Sequence, residues 1–128
     1  MTQQKKFAVL IIEDDTFLHE LSKKKFIQQG YEVISAFNGE EGKRKIQQKF
    51  PDIILLDLLL PEMDGLDLLK ELKENRATQH IPVVIVSNYS DRERVQKGLA
   101  LGASDYIIKA HFTPDEIVQK VNTLLKKS

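Results

Sequence analysis

Five short apolar runs, rich in β-branched residues and separated by stretches with helical spacing, set what this chain can fold into. They are Phe7–Ile12, Tyr31–Ala36, Asp52–Leu56, Val83–Val86 and Tyr106–Ile108. Runs with little polar alternation suit strands buried on both faces, and a sheet covered on both faces is typically parallel, with a helix crossing over after each strand. Five strands alternating with five helices therefore predict an α/β fold, a (βα)5 doubly wound five-stranded parallel sheet. The 128 residues suit a single domain over positions 1–128.

The intervening segments carry their own start and stop signals. Thr16 to about Gln29 reads as a helix with Leu18, Leu21 and Phe26 on one face, and Gly30 stops it. Asn38 caps a second helix with Glu40 and Glu41 in its first turn, running to about Lys49 before Pro51. A loop holds Pro61 and Asp64-Gly65, and Leu66, Leu69 and Leu72 mark the third helix. Ser90 with Glu93 predicts a capping box for a helix through about Leu101, ended by Gly102. Thr113-Pro114-Asp115-Glu116 supplies cap, N1 proline and N3 glutamate for the last helix, where Ile117, Val121, Leu124 and Leu125 recur. Lys126-Lys127 suits the negative end of that helix, and Lys23-Lys24-Lys25 reads as a solvated face.

Bulk properties exclude several function classes. Basic and acidic residues balance at 19 each, so the chain lacks the electrostatic footprint of a nucleic-acid binder. It has no cysteine, which removes disulfides and thiolate metal sites. No apolar run approaches a membrane span, and the apolar run after Met1–Lys6 is too short for a secretory signal. The expectation is a cytoplasmic protein with no nucleic-acid or membrane partner.

The functional signal lies where the strands end. The first ends in Glu13-Asp14-Asp15, the third in Asp57, the fourth in Ser87-Asn88 and the fifth in Lys109. Ligands of doubly wound sheets bind outside the carboxyl ends of the strands, and the common order 2-1-3-4-5 sets strands one and three side by side. Two carboxylates about 4 Å apart repel by roughly 4 kcal/mol at an effective dielectric of 20. Converging acids therefore call for a divalent cation, and an all-oxygen site suits magnesium. Each residue also has a plainer role: Asp14 or Asp15 as a helix N-cap, Asp57 as a loop-entry cap, Ser87 as a strand terminator, Lys109 as a solvated loop residue. Coincidence at four strand ends favours a joint site.

The segments Val9–Asp15, Pro51–Asp57, Pro61–Gly65, Ile81–Ser87 and Gly102–Lys109 resemble, in order and spacing, the receiver domains of response regulators in two-component signalling. The resemblance covers nearly the whole chain and implies a flavodoxin-like (CheY-like) fold. It implies that Asp57 is the phosphoacceptor, and that Asp14, Glu13 through water, Asp57 and the backbone carbonyl of Leu59 hold Mg2+. Ser87 is then the switch hydroxyl, Lys109 the cation that pairs with acceptor and phosphoryl group, and Tyr106 the switch aromatic, otherwise a strand residue at the sheet surface. The donor would be a sensor histidine kinase, a histidine phosphotransfer protein or a small acyl phosphate. Phosphorylation would draw in Ser87 and its loop, with Tyr106 following, and reshape the face of the fourth helix, fifth strand and fifth helix toward an unknown protein target. The chain would be a stand-alone phosphoacceptor switch without an output domain, not an enzyme; alternatives are a phosphorelay intermediate or a receiver domain cut from a longer regulator.

Several positions depart from that family's pattern. Ala110 replaces the usual proline after the lysine, so a trans Lys109–Ala110 bond and a different path through His111-Phe112-Thr113 are expected. Asn88 stands where a small residue is common and narrows access for donors. Leu59 and Tyr89 occupy the positions flanking the hydrolytic water, and neither is acidic, so slow autodephosphorylation is expected. An aspartyl-phosphate hydrolase of the haloacid-dehalogenase type would want a second acid at Leu59. A flavodoxin-like module that uses no phosphate leaves the four polar strand ends unexplained.

Overall fold

A computed structural model describes residues 6–125. Its strands are β1 (Ala8–Ile12), β2 (Glu32–Ala36), β3 (Ile53–Leu56), β4 (Val83–Ser87) and β5 (Asp105–Ile108). Its helices are α1 (Thr16–Gln28), α2 (Gly39–Gln48), α3 (Gly65–Glu74), α4 (Arg92–Ala100) and α5 (Pro114–Leu124). All pairings in the main sheet are parallel, in the order 2-1-3-4-5.

Alternation along each strand splits the core into two layers. Leu10, Ile12, Ile54, Leu56 and Ile85 pack with Ile46 of α2 and Leu68, Leu69 and Leu72 of α3. Val9, Ile11, Ile53, Leu55 and Ile107 pack on the opposite face with Phe26 of α1 and Ile117, Val118 and Val121 of α5. The expected doubly wound fold is present.

Local signals were obeyed with four exceptions. The N-cap of α4 is Asp91, not Ser90: its carboxylate accepts from the Arg94 N–H at 3.1 Å. A carboxylate one residue later serves the orphan N–H and the helix dipole together, which a hydroxyl cannot. Second, the buried residues of α1 are His19 and Phe26, while Leu18 is exposed and Leu21 half-buried. Third, strand bounds shift by one residue: β1, β2 and β3 each start one later than expected, β4 runs one further to Ser87, and β5 starts one earlier at Asp105. At β2 the cause is local: the Tyr31 N–H bonds to the Phe26 carbonyl, closing α1 behind Gly30 at φ 88°. Fourth, the loop after β3 contains a small antiparallel hairpin, Leu59–Leu60 with Met63–Asp64, turning at Pro61-Glu62. Glu62 there takes φ 61°, which an L residue with a Cβ rarely adopts.

The Thr113–Glu116 capping box forms in both directions. No peptide bond among the described residues is cis, so Lys109–Ala110 is trans as expected, and Lys109–His111 forms a single 3-10 turn with His111 exposed. The reading of Lys126-Lys127 lies outside the described residues.

Candidate functional site

The sheet delivers its polar strand ends to one edge. The Asp57 N–H donates to the Ile12 carbonyl at 3.0 Å, extending the β1–β3 ladder by one step and setting Asp57 beside Glu13. The Glu13 N–H in turn donates to the Ala36 carbonyl of β2 at 3.1 Å. Main-chain pairing, and not side-chain attraction, therefore brings these two acids together. Both are 7% exposed.

Lys109 closes the arrangement from the end of β5. Its Nζ donates to Glu13 Oε1 at 2.5 Å and to Asp57 Oδ2 at 2.9 Å. The other Asp57 oxygen, Oδ1, accepts from the Leu59 N–H at 3.0 Å. Burial pushes the Glu13 carboxyl from 4.5 up to about 7; its hydrogen bond with Asp57 adds to the rise, and Lys109 offsets part of it. For Lys109, burial works against the charge, but the bonds to Glu13 and Asp57 win and raise it above the ordinary lysine value. One cation thus serves two buried carboxylates, and the cluster has room for more positive charge.

Asp14 supplies the third acid. It is exposed, and Asp15, not Asp14, caps α1, accepting from the Leu18 N–H at 3.0 Å. Glu13, Asp14 and Asp57 each offer a carboxylate oxygen within 4.8 Å of the others. An all-oxygen set of that span fits a hard divalent cation. The Leu59 backbone is tied to Asp57 by the bond already given, while its side chain is 64% exposed.

Ser87 and Tyr106 meet at the neighbouring strand ends. The buried Ser87 Oγ accepts from the Tyr89 N–H at 3.1 Å, and the Tyr106 hydroxyl donates to the Tyr89 carbonyl at 2.7 Å. Tyr106 is raised above the usual phenol value by burial, with a Ser87 hydrogen bond and the Arg94 charge pulling the other way. Tyr106 is therefore tied to the loop that carries Ser87. Asn88 is exposed and borders an apolar cavity of about 420 Å³ between α1 and α5, walled by Leu18, Leu55, Val86, Phe112 and Ile117 and ending at the acid–lysine cluster.

One residue near the site was not singled out from sequence. His19 is 0% exposed, its ring stacked on Phe37 at 4.2 Å between centroids. A carbonyl oxygen only accepts, so His19 Nδ1–H donates to the Glu13 carbonyl at 2.9 Å. It braces the backbone of an acidic residue from behind. The only signal was its place one turn after Asp15, hidden by the more apolar Leu18 next to it.

The three acids, the bridging lysine and the serine thus lie at the carboxyl edge of a doubly wound α/β sheet, the place where domains of this class bind their ligands. The response regulator receiver domain model matches residues 9–122, and the chain belongs to that family, in two-component signalling. It is 32% identical over 120 residues to the alkaline phosphatase synthesis transcriptional regulatory protein PhoP of Bacillus subtilis (strain 168), covering 94% of this chain and 49% of that protein. The chain spans about half the length of the curated relatives it matches. A CheY-like receiver domain protein from Methanospirillum hungatei JF-1 superposes with a TM-score of 0.88 at 30% identity, covering 96% of each chain. The Mn2+-bound form of response regulator Rcp1 superposes with a TM-score of 0.84 at 26% identity, covering 95% of this chain and 96% of that one. Among the described residues no helix is long and apolar enough to cross a membrane.

Proposed function

We propose that Asp57 accepts a phosphoryl group from a phosphohistidine on a sensor kinase or a histidine phosphotransfer protein, and that the domain acts as a switch and not as a turnover enzyme. The observation that carries this reading is the Lys109 bridge between Glu13 and Asp57 at the carboxyl edge of the sheet. Magnesium held by Glu13, Asp14, Asp57 and the Leu59 carbonyl would supply the remaining positive charge that the phosphoryl oxygens need.

The residues themselves divide the work. An Asp57 oxygen forms the new O–P bond as the donor's P–N bond breaks, and the imidazole nitrogen keeps the electron pair. Lys109 neutralises the nucleophile before transfer and stays beside the phosphoryl oxygens afterwards. Charge in the transition state spreads over the equatorial oxygens, where Ser87 and loop N–H groups can meet it. Ser87 keeps its bond from the Tyr89 N–H and turns its own O–H to a phosphoryl oxygen, so the turn moves as a unit and the tie through Tyr89 to Tyr106 carries the change to the surface of α4, β5 and α5, which contacts a protein target. Such a change biases states that already exist. Leu59 and Tyr89 offer no carboxylate or amide to orient a water, so the acyl phosphate is long-lived; Asn88 narrows donor access.

The test is incubation with acetyl phosphate and Mg2+, followed by intact mass. Wild type gains one phosphoryl group and Asp57→Asn gains none. Equal labelling of the variant, or no labelling of wild type, ends this reading. Fast loss of the label after donor removal would sink the claim of a long lifetime.

A further inference from the structure

The loop that carries Ser87 is gripped from outside by a side chain with no place in the acid–lysine cluster. Arg94 lies in the first turn of α4, and its guanidinium carbon sits 4.1 Å from the centroid of the Tyr89 ring. Its base is fixed by Asp91, which accepts from the Arg94 N–H at 3.1 Å and holds a carboxylate oxygen 3.9 Å from Arg94 Nε. Tyr89 is the hub of the loop. Its N–H reaches Ser87 Oγ, and its carbonyl receives the Tyr106 hydroxyl.

The Tyr106 ring has its own seat. Residue 98, facing it from α4, is glycine; a Cβ there would lie 3.3 Å from Tyr106 Cδ2 and 2.7 Å from Ile85 Cδ1. Both hydrogen bonds of Tyr89 use its main chain, so neither restrains its ring. Packing against the core holds the ring from below, and the Arg94 guanidinium holds the face it covers, because a cation over a tyrosine face is attracted by the ring quadrupole, and a planar guanidinium can stack there.

We propose that Arg94 is a positioning residue for the Ser87 hydroxyl: by holding the Tyr89 ring it keeps residues 88–91 in the turn that joins Ser87 to Tyr106 before any phosphoryl group arrives. The inference rests on the reading of Asp57 as acceptor and Ser87 as the hydroxyl that meets the phosphoryl oxygens. Ordering the loop in the resting protein removes that cost from the transfer step. Arg94 touches neither donor nor acceptor; it acts through Tyr89.

The experiment uses the full chain, acetyl phosphate and Mg2+, with Arg94→Ala and Arg94→Lys compared by rate of mass gain and by the Tyr89 amide resonance in 1H–15N spectra. Arg94→Ala should label about two- to fivefold more slowly than wild type. Its Tyr89 amide should shift, and Arg94→Lys should recover most of the rate. In a Tyr89→Leu background the Arg94→Ala change should add nothing further. An unchanged rate with an unmoved amide overturns the proposal. So does a loss that lysine does not recover and that persists without the Tyr89 ring, since that would belong to α4 itself. If wild type takes no label, the acceptor reading falls, and the Tyr89 amide in Arg94→Ala alone then decides whether Arg94 sets the loop.

Discussion

Replacing Glu13 with glutamine should flatten the dependence of stability on pH. In the folded protein the Glu13 carboxyl is pushed from 4.5 up to about 7, chiefly by burial. Below pH 4.5 both folded and unfolded chains carry it protonated, and it costs nothing. Between these values the unfolded chain ionises while the folded chain holds its proton, so this group's contribution falls as pH rises. Above about pH 7 the loss is complete. At about 1.4 kcal/mol per tenfold in acidity, the total is about 3 kcal/mol. Glutamine keeps the shape and cannot ionise. Urea unfolding in chelator from pH 5 to 8 should therefore show Glu13→Gln gaining about 2–3 kcal/mol on wild type across that range. The raised Glu13 value already includes the opposing pull of Lys109, and a glutamine beside Lys109 does not titrate, so the change across pH reports the Glu13 carboxyl alone. Curves for the two proteins that stay parallel to within about 1 kcal/mol would refute the reasoning.

Three smaller effects should be visible by urea denaturation. Glu62 holds φ 61°, so Glu62→Gly should raise stability by about 0.5–1 kcal/mol, since glycine adopts that conformation without its Cβ penalty. Gly65→Ala should cost about 2 kcal/mol or more and slow labelling of Asp57, because the new Cβ would lie 2.5 Å from Leu58 Cα and 2.7 Å from the Asp57 carbonyl, backbone atoms that cannot swing aside. Thr113→Ala should cost about 1 kcal/mol by removing the acceptor for the Glu116 N–H, and Thr113→Ser should restore most of it.

Strand and helix identity could be read directly because the helical stretches between the apolar runs carried caps, glycines or prolines at their ends, such as Gly30, Asn38, Pro51, Gly102 and Thr113-Pro114. The strand-end residues Glu13, Asp57, Ser87 and Lys109 were legible because a polar residue ending an apolar strand must sit at the carboxyl edge of the sheet. What escaped depends on partners far away in sequence or on choices between adjacent residues. Ser90 and Asp91 both suit an N-cap, and only the loop path selects Asp91. The burial of His19 depends on Phe37 and the Glu13 carbonyl, neither of which marks a histidine in advance. The hairpin at Leu59–Asp64 has strands of two residues each, too short for any period to show. Arg94 over Tyr89 is invisible to motif reading, since a cation five residues from an aromatic is an ordinary surface pattern.

The Lys109 bridge ties residues 96 positions apart, from the first strand to the last. Loop closure over such a span is unfavourable until the intervening sheet has assembled. A half-built chain, or one released before β5 docks, holds Asp57 without the cation that neutralises it. With Asp57 as the acceptor proposed above, competence to receive a signal would be conditional on finishing the fold.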